Sequence, residues 1–455
     1  MIKARQDGLL FMLLASLLLI LVGCFGINTM GDFRVFFYST RCLLQHHDPY
    51  QPSAVEQVYL AAAAERPQPD PMGTAETPKI ALLICFPNAL PFIAPFALLP
   101  WGLANVLWMM LVDASLILPA WMIWRTGSQT APALCGGLAA LLLLNSITLP
   151  ILGNFAALEV GLCVAAVCCF LAERYSAAGV LCLAIALILK PQDAGFIWLY
   201  FLLAGGIRRR RALQSLALFA LLSLPGLLWI APVAPHWPQE LHANLLAGSA
   251  HGMLNDPTPF TANQAATAMI LSLQTVFSFF WNDARLYNLA AWLLCAPFLL
   301  AWAAMTLRAR FTPRRAWFAL AAISALSMLP TYHRSHDAKL LLLAIPACAT
   351  LWIEGRRSRW LALTLTAASM ILTGELPLTL MVRFTQYLHL DTARLGGKML
   401  TIALSRPAPL ILLATALFYL WAYLRQSGGL GESPAAELKG TGFSPYIKSS
   451  QNNGL

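Results

Sequence analysis

The sequence predicts an all-α polytopic membrane protein with about 12 transmembrane helices. Three observations predict it. Apolar residues make up 59% of the chain and charged residues 11%, against about 25% charged in a soluble domain, too few to cover a surface in water. Apolar runs near the roughly 20 residues needed to cross a bilayer recur from Leu9 to Leu424. The basic residues behind the net charge of +10 gather in short loops: Lys3 and Arg5, Arg208 to Arg211, Arg308 to Arg315, Arg356 to Arg359, and Arg425. That is the pattern of loops retained on the cytoplasmic side, and it argues against nucleic acid as a partner.

The spans follow in order. The first, 8–27, has the look of a signal peptide, but no small-x-small cleavage site follows, so it reads as a retained helix. Further apolar spans fall at 102–124, 131–150, 155–172, 177–190, 192–206, 212–232, 286–307, 316–331, 338–353, 360–376 and 407–424. The stretch 81–99 is apolar but broken by Pro87, Pro91 and Pro95. It either crosses or dips in, and charge bookkeeping favours the dip, because a crossing leaves Lys190 and Asp193 in mid-membrane. Counting AATAMILSLQTVFSFFW (265–281) as a crossing would export the arginines at 308 to 315, so it reads as an external interfacial helix.

One membrane domain over 1–424 results, with external segments at 28–80, 233–285 and 375–406. A Gly/Ser/Asn-rich cytoplasmic tail, 425–455, has the composition of a disordered segment. Both termini lie inside. Of the ten cysteines, nine sit within apolar runs and behave as small hydrophobes; only Cys42 lies in a polar segment. No disulfide framework and no Cys/His metal spacing emerges.

Polar chemistry concentrates at the predicted external ends. Gly31-Asp32 reads as a helix start with Asp32 as N-cap. Phe33, Phe36, Phe37 and Leu44 then form an apolar face, opposite Arg34, Tyr38 and Arg41. Lys190, in LILKPQDAG, is held extended by Pro191, which ends its helix. A charge there is either a snorkelling lysine or, with Gln192, a partner for an anion. Tyr332-His333-Arg334-Ser335-His336-Asp337 is the most polar stretch beside a span. Its histidines at i, i+3 lack a third ligand in sequence, so phosphate recognition by Arg334 and the histidines fits better than a metal. Asn263-Gln264 either line a site or cap the helix that follows. Asp113 and Glu159 fall within spans, as buried hydrogen-bonding groups.

The ordered set Asp32-Phe33, His47-Asp48-Pro49-Tyr50, FPNALPFIAPFALLPWG (86–102), GNFAALEVG (153–161), ALILKPQ (186–192), TANQ (261–264) and LPTYHRSHDAKLLLL (329–343) resembles glycosyltransferase family 87 of the GT-C superfamily. The resemblance covers most of 28–345. It implies a GT-C-type fold and a membrane glycosyltransferase, inverting, that moves a hexose, mannose by likeness, from a polyprenyl-phosphate donor. The acceptor would be an extracytoplasmic glycan or glycolipid, with the active site on the outer face of a bacterial plasma membrane and no cofactor beyond the lipid-linked substrate. By position, Asp32 would be the general base, taking the acceptor's proton as it attacks the anomeric carbon. Lys190, Gln192, Arg334, His333 and His336 would meet the donor phosphate, and Arg34, Tyr50, Asn154, Asn263 and Gln264 the rest of the substrates. This chain departs from the family in carrying Asn154 where glutamine is frequent, and Thr-Tyr-His where Ser-Trp-x-His is frequent, which leaves room for a different sugar. Of the rivals, a transporter or flippase calls for internal symmetry and midplane charges, which the sequence lacks. A lipid-linked polymer ligase would share the cationic site without needing Asp32, and a scaffold would tolerate change at every one of these positions.

Overall fold

The computed structural model describes residues 2–27, 29–64, 81–259, 267–355, 357–390, 392 and 394–427. Asn263, Gln264 and the segment beyond Ser427 lie outside them. The helices are α1 (Ile2–Gly26), α2 (Gly31–Leu44), α3 (Pro52–Ala64), α4 (Leu90–Ala97), α5 (Trp101–Gly127), α6 (Pro132–Leu144), α7 (Thr148–Leu152), α8 (Ala156–Leu171), α9 (Ser176–Leu189) and α10 (Pro191–Leu203). They continue with α11 (Gly206–Ile230), α12 (Trp237–Gly248), a single turn α13 (Gln274–Phe277), α14 (Ala284–Arg308), α15 (Pro313–Leu326), a 3-10 helix over Asp337–Ala344, α16 (Ile345–Ile353), α17 (Ser358–Leu372), α18 (Glu375–Tyr387), α19 (Leu395–Ser405) and α20 (Pro407–Ser427). Among the described residues the chain forms no sheet, so the all-α membrane class stands.

Six helical stretches are long and apolar enough to cross a bilayer: α1, α5, α6 with α7, α11, α14 and α20. The pair α17 and α18, bent by 78°, makes a broken seventh. Several of the spans expected from the sequence are shorter. The helices α8, α9, α10 and α15 have 16, 14, 13 and 14 residues, and at about 1.5 Å per residue fall short of a hydrocarbon core of about 30 Å. Their ends mark where polar or proline residues interrupt apolar runs. Most of α8, all of α15 from Ala316 on and nearly all of the 337–351 stretch are buried, so they form the inside of the bundle. Packing runs α1 along α6, α8 between α5 and α9, and α15 against α20. Gly8 and Gly136 let α1 and α6 meet backbone to backbone; a Cβ on Gly136 would lie 2.5 Å from Gly8 Cα.

The 81–99 stretch, expected to dip, holds a 3-10 turn over Pro87–Ala89 that runs into α4, of 8 residues, and α4 packs on α2. The expected interfacial helix at 265–281 is not one. Within its described part Thr267 and Ala268 are helical and Gln274–Phe277 forms the turn α13, with the helix interrupted between them. Residues 269–273 instead leave the helix and lie beside 329–335: Leu271 N donates to His333 O (2.8 Å), Leu273 N to Leu329 O (2.9 Å) and Ser335 N to Met269 O (2.9 Å). Ile270, Leu271, Ser272 and Leu273 are buried there. Irregular backbone is tolerable inside a membrane protein when a neighbouring segment takes its hydrogen bonds, and an apolar run alone does not separate that solution from a helix. The 375–406 segment is likewise two helices, α18 and α19, rather than a loop.

Candidate active site

The α1–α2 turn is tied to the α7–α8 turn. Thr29 Oγ1 donates to Gly26 O (2.7 Å) and lies 2.9 Å from Ile151 O. Trp108 Nε1 donates to Gly153 O (2.8 Å), and Asn105 Nδ2 to Ile27 O (3.1 Å). Gly153, at φ 65°, closes α7 in the left-handed region, and a Cβ there would lie 2.8 Å from Phe33 Cβ. Phe33 stacks on Trp108 with ring centres 4.6 Å apart, and Phe36 meets Phe155 at 4.0 Å.

These contacts set two polar residues face to face. Asn154 Nδ2 donates to Asp32 Oδ2 at 2.6 Å. The same amide's Oδ1 accepts from Ala156 N, the first backbone N–H of α8, at 2.8 Å, which fixes which way the amide points. Asp32 is not the N-cap that the sequence predicts. The helix begins two residues earlier, at Gly31 after Met30, and Asp32 sits in its first turn, where the helix dipole favours a carboxylate. Asp32 is half-buried, and among the described residues its Oδ1 takes no hydrogen bond.

A second group forms where α9 breaks into α10. Lys190 has the extended backbone that Pro191 imposes, with φ −147° and ψ 86°. Its Nζ donates to Asp337 Oδ1 and lies 3.6 Å from Asp193 Oδ2. His333 Nε2 is 2.7 Å from Asp193 Oδ1, and its Nδ1 is 3.0 Å from Thr331 O. Asp337 Oδ2 accepts from Arg334 N at 3.0 Å. Lys190 is about one-fifth exposed, while Asp193, His333 and Asp337 are buried. Burial works against a charge on His333, but Asp193 and then Asp337 more than offset it and raise its pKa above the ordinary histidine value.

Glu159, five residues into α8 from Asn154, lies within electrostatic reach of Asp193. Helix α8 thus joins the two groups across about 7 Å of its length.

One atom each from Asp193, His333 and Asp337 falls within a 4.8 Å cluster, a geometry that could hold a metal ion. The Lys190 ammonium already lies against two of those carboxylates and supplies the positive charge a metal would bring. No step below runs through a metal.

The remaining expected residues are placed as follows. His336 Nδ1 is 3.0 Å from Glu375 Oε1, which also accepts from Ser335 Oγ at 2.9 Å. Arg334 Nη1 is 3.4 Å from Asn255 Oδ1, which accepts from Tyr332 Oη at 2.6 Å. Arg34 lies over the rings of Tyr59 and Trp101, at 5.7 and 5.8 Å. Gln192 is exposed in the first turn of α10. Tyr50 is buried away from these groups in a small apolar cluster with Leu43, Leu90 and Leu241, its hydroxyl donating to Cys85 O at 2.7 Å. The structure therefore brings Asp32 to Asn154 and Lys190 to His333, and it gives Tyr50 a packing role.

Sequence reasoning missed Asp193, Asp337 and Glu375 as site residues. Asp193 had one signal, its i, i+3 spacing from Lys190 across a proline-started helix. Glu375 had only its place as a lone acid between two apolar stretches.

Long apolar helices enclosing interrupted ones, with carboxylates and cations gathered at the interruptions, define a multi-pass membrane protein with a polar site at helix breaks. The model of glycosyltransferase family 87 matches residues 87–331, more than half of the chain, and the chain belongs to that family: it is a membrane glycosyltransferase. The match contains Asn154, Lys190 and Asp193; Asp32 and the 333–337 cluster residues lie outside it. Searches of curated proteins and of solved structures found no match.

Proposed function

We propose that this glycosyltransferase transfers a hexose, mannose by resemblance, from a polyprenyl phosphate to an extracytoplasmic glycan or glycolipid acceptor, with inversion and with Asp32 as general base. The observation that carries the reading is the pairing of Asp32 with Asn154 at 2.6 Å. One carboxylate oxygen is held by an amide whose own orientation is fixed, and the other is left to accept a proton. Asp193 and Asp337 cannot serve in that way, because they are buried against Lys190 and His333.

In the proposed reaction the acceptor hydroxyl approaches Asp32 Oδ1. Its oxygen attacks the anomeric carbon as the proton passes to the carboxylate, and the bond from that carbon to the phosphate oxygen breaks. Polyprenyl phosphate leaves as the anion, so no second carboxylic acid is required. General-base assistance of this kind contributes about 10²–10⁴-fold. The balanced set of Lys190 and His333 with Asp193 and Asp337 gives the site a rigid floor. Arg334 and Arg34, both partly exposed, are the cations proposed to meet the donor phosphate.

The donor class is tested with the purified full chain and a panel of sugar donors: several polyprenyl-phosphate hexoses beside nucleotide sugars, each with cell-envelope acceptors. Release of polyprenyl phosphate with product formed from one lipid-linked hexose is the expected result. Consumption of a nucleotide sugar, with every lipid-linked donor left intact, overturns the reading.

A further inference from the structure

Arg406 stands at the joint between α19 and α20, and it is only 2% exposed. Its Nη1 donates to Ser405 O at 3.0 Å, its guanidinium lies 5.9 Å from the centre of the Phe279 ring, and its Nε meets no acceptor. Among the described residues no carboxylate pairs with it. Among the described residues, Lys190, one-fifth exposed, has Asp337 and Asp193 beside it, and the buried Lys339 donates to Asn145 O at 2.6 Å. A guanidinium held out of water without a counter-charge is strongly unfavourable, so this one implies an anion that arrives from outside the chain.

The surroundings say what kind. The planar fork of arginine matches phosphate oxygens. The helix α19 that leads into Arg406 and the residues next to Phe279 carry exposed apolar side chains, Leu395, Met399 and Leu400 on the one and Phe280 and Trp281 on the other, with Lys398 Nζ 5.4 Å from the Phe280 ring centre. A free, hydrated phosphate has no use for such a flank, whereas a hydrocarbon chain does.

We propose that Arg406 binds the phosphate of an anionic lipid at a site separate from the Asp32–Asn154 pair, with the chain of that lipid lying along α19 and the 279–281 aromatics. Two sources share this chemistry, a bilayer phospholipid and the polyprenyl phosphate of the donor or product. The inference rests on the proposed function for the second source only, not for the existence of the site. The 267–281 segment runs from the site loop at His333 to Phe279, so a lipid held here borders the proposed active site.

The test uses purified full-length protein in neutral detergent. Its melting temperature is followed as phosphatidylglycerol, polyprenyl phosphate, or diacylglycerol as a phosphate-free control is added. A ligand that binds only the folded state raises the melting temperature with concentration. Stabilisation by a lipid phosphate but not by diacylglycerol is expected, with half-saturation weakened tenfold or more in Arg406→Gln and less in Arg406→Lys. A preference for phosphatidylglycerol assigns the site to the bilayer, and a preference for polyprenyl phosphate assigns it to the reaction's lipid. No stabilisation of the wild type by either phosphate overturns the proposal, as does an equal effect on wild type and Arg406→Gln. If Arg406→Gln does not fold, Arg406→Lys decides: undiminished stabilisation there overturns it as well. Sugar transfer is not read in this experiment, so failure of the donor assignment leaves the outcome intact.

Discussion

Asn154 Nδ2 stands 2.6 Å from Asp32 Oδ2 across 122 residues of sequence, and the amide cannot turn away, because its oxygen is held by Ala156 N. The pair joins the first turn of α2 to the start of α8. A hydrogen bond to a charged group contributes about 1.5–3 kcal/mol, and its loss would let the Asp32 carboxylate rotate away from a reacting hydroxyl. Asn154→Ala is therefore expected to lower kcat about 10–100-fold with donor KM nearly unchanged. Steady-state kinetics on purified protein check this; a variant with wild-type kcat removes Asn154 from the mechanism.

Gly153 sets up that pair. It occupies the left-handed region at φ 65°, and an added Cβ would meet Phe33 and Trp108. Left-handed backbone alone costs a non-glycine residue about 1–2 kcal/mol, and the close approach adds to it. Gly153→Ala should lower thermal stability and reduce kcat together, because the strain falls on the turn that presents Asn154. A variant that melts as the wild type does and keeps full activity contradicts the placement of this turn.

Much of this was legible in the sequence, and the misses have physical reasons. A helix starting near Asp32 and the break at Lys190 before Pro191 follow from local rules about helix ends, while the candidacy of Asp32 and Asn154 comes from the resemblance to glycosyltransferase family 87. The partner of Lys190 does not. Asp337 lies 147 residues away, and nothing local says that the lysine is satisfied inside the protein rather than waiting for an anion. The 265–281 stretch misled for another reason: three of its hydrogen bonds run to the remote 329–335 segment, and apolarity is the same for a buried irregular segment and an interfacial helix. Tyr50 drew attention as a motif residue, but its hydroxyl serves Cys85 O.

The Lys190–Asp337 pair is read as a strut between the α9–α10 break and the 3-10 helix. Removing one partner strands the other, at a cost on the order of 3 kcal/mol. Lys190→Met and Asp337→Leu should each destabilise the protein more than half as much as the double variant does. A melting-temperature cycle over wild type, both singles and the double gives the coupling. Strict additivity contradicts the strut. Unchanged stability in Lys190→Met with a raised donor KM would point to the phosphate role that the sequence reading gave this lysine.

His333 gives a pH dependence with a definite sign. Its pKa is raised in the folded state, so its contribution is fully present below the ordinary histidine value of about 6.5 and is lost as pH rises through the raised folded value. Wild-type melting temperature should fall over that interval, and His333→Gln should lack that component. Identical pH profiles for the two proteins would remove the His333–Asp193 pair as its source.

The central claim is that Asp32 takes the acceptor's proton. The most direct measurement compares purified wild type with Asp32→Asn, given the lipid-linked hexose that the donor panel identifies together with its acceptor, and follows release of polyprenyl phosphate. The account predicts a fall of about 10²–10⁴-fold in the variant with donor binding retained, since the amide keeps the shape and loses the base. Equal release by the two proteins would contradict it.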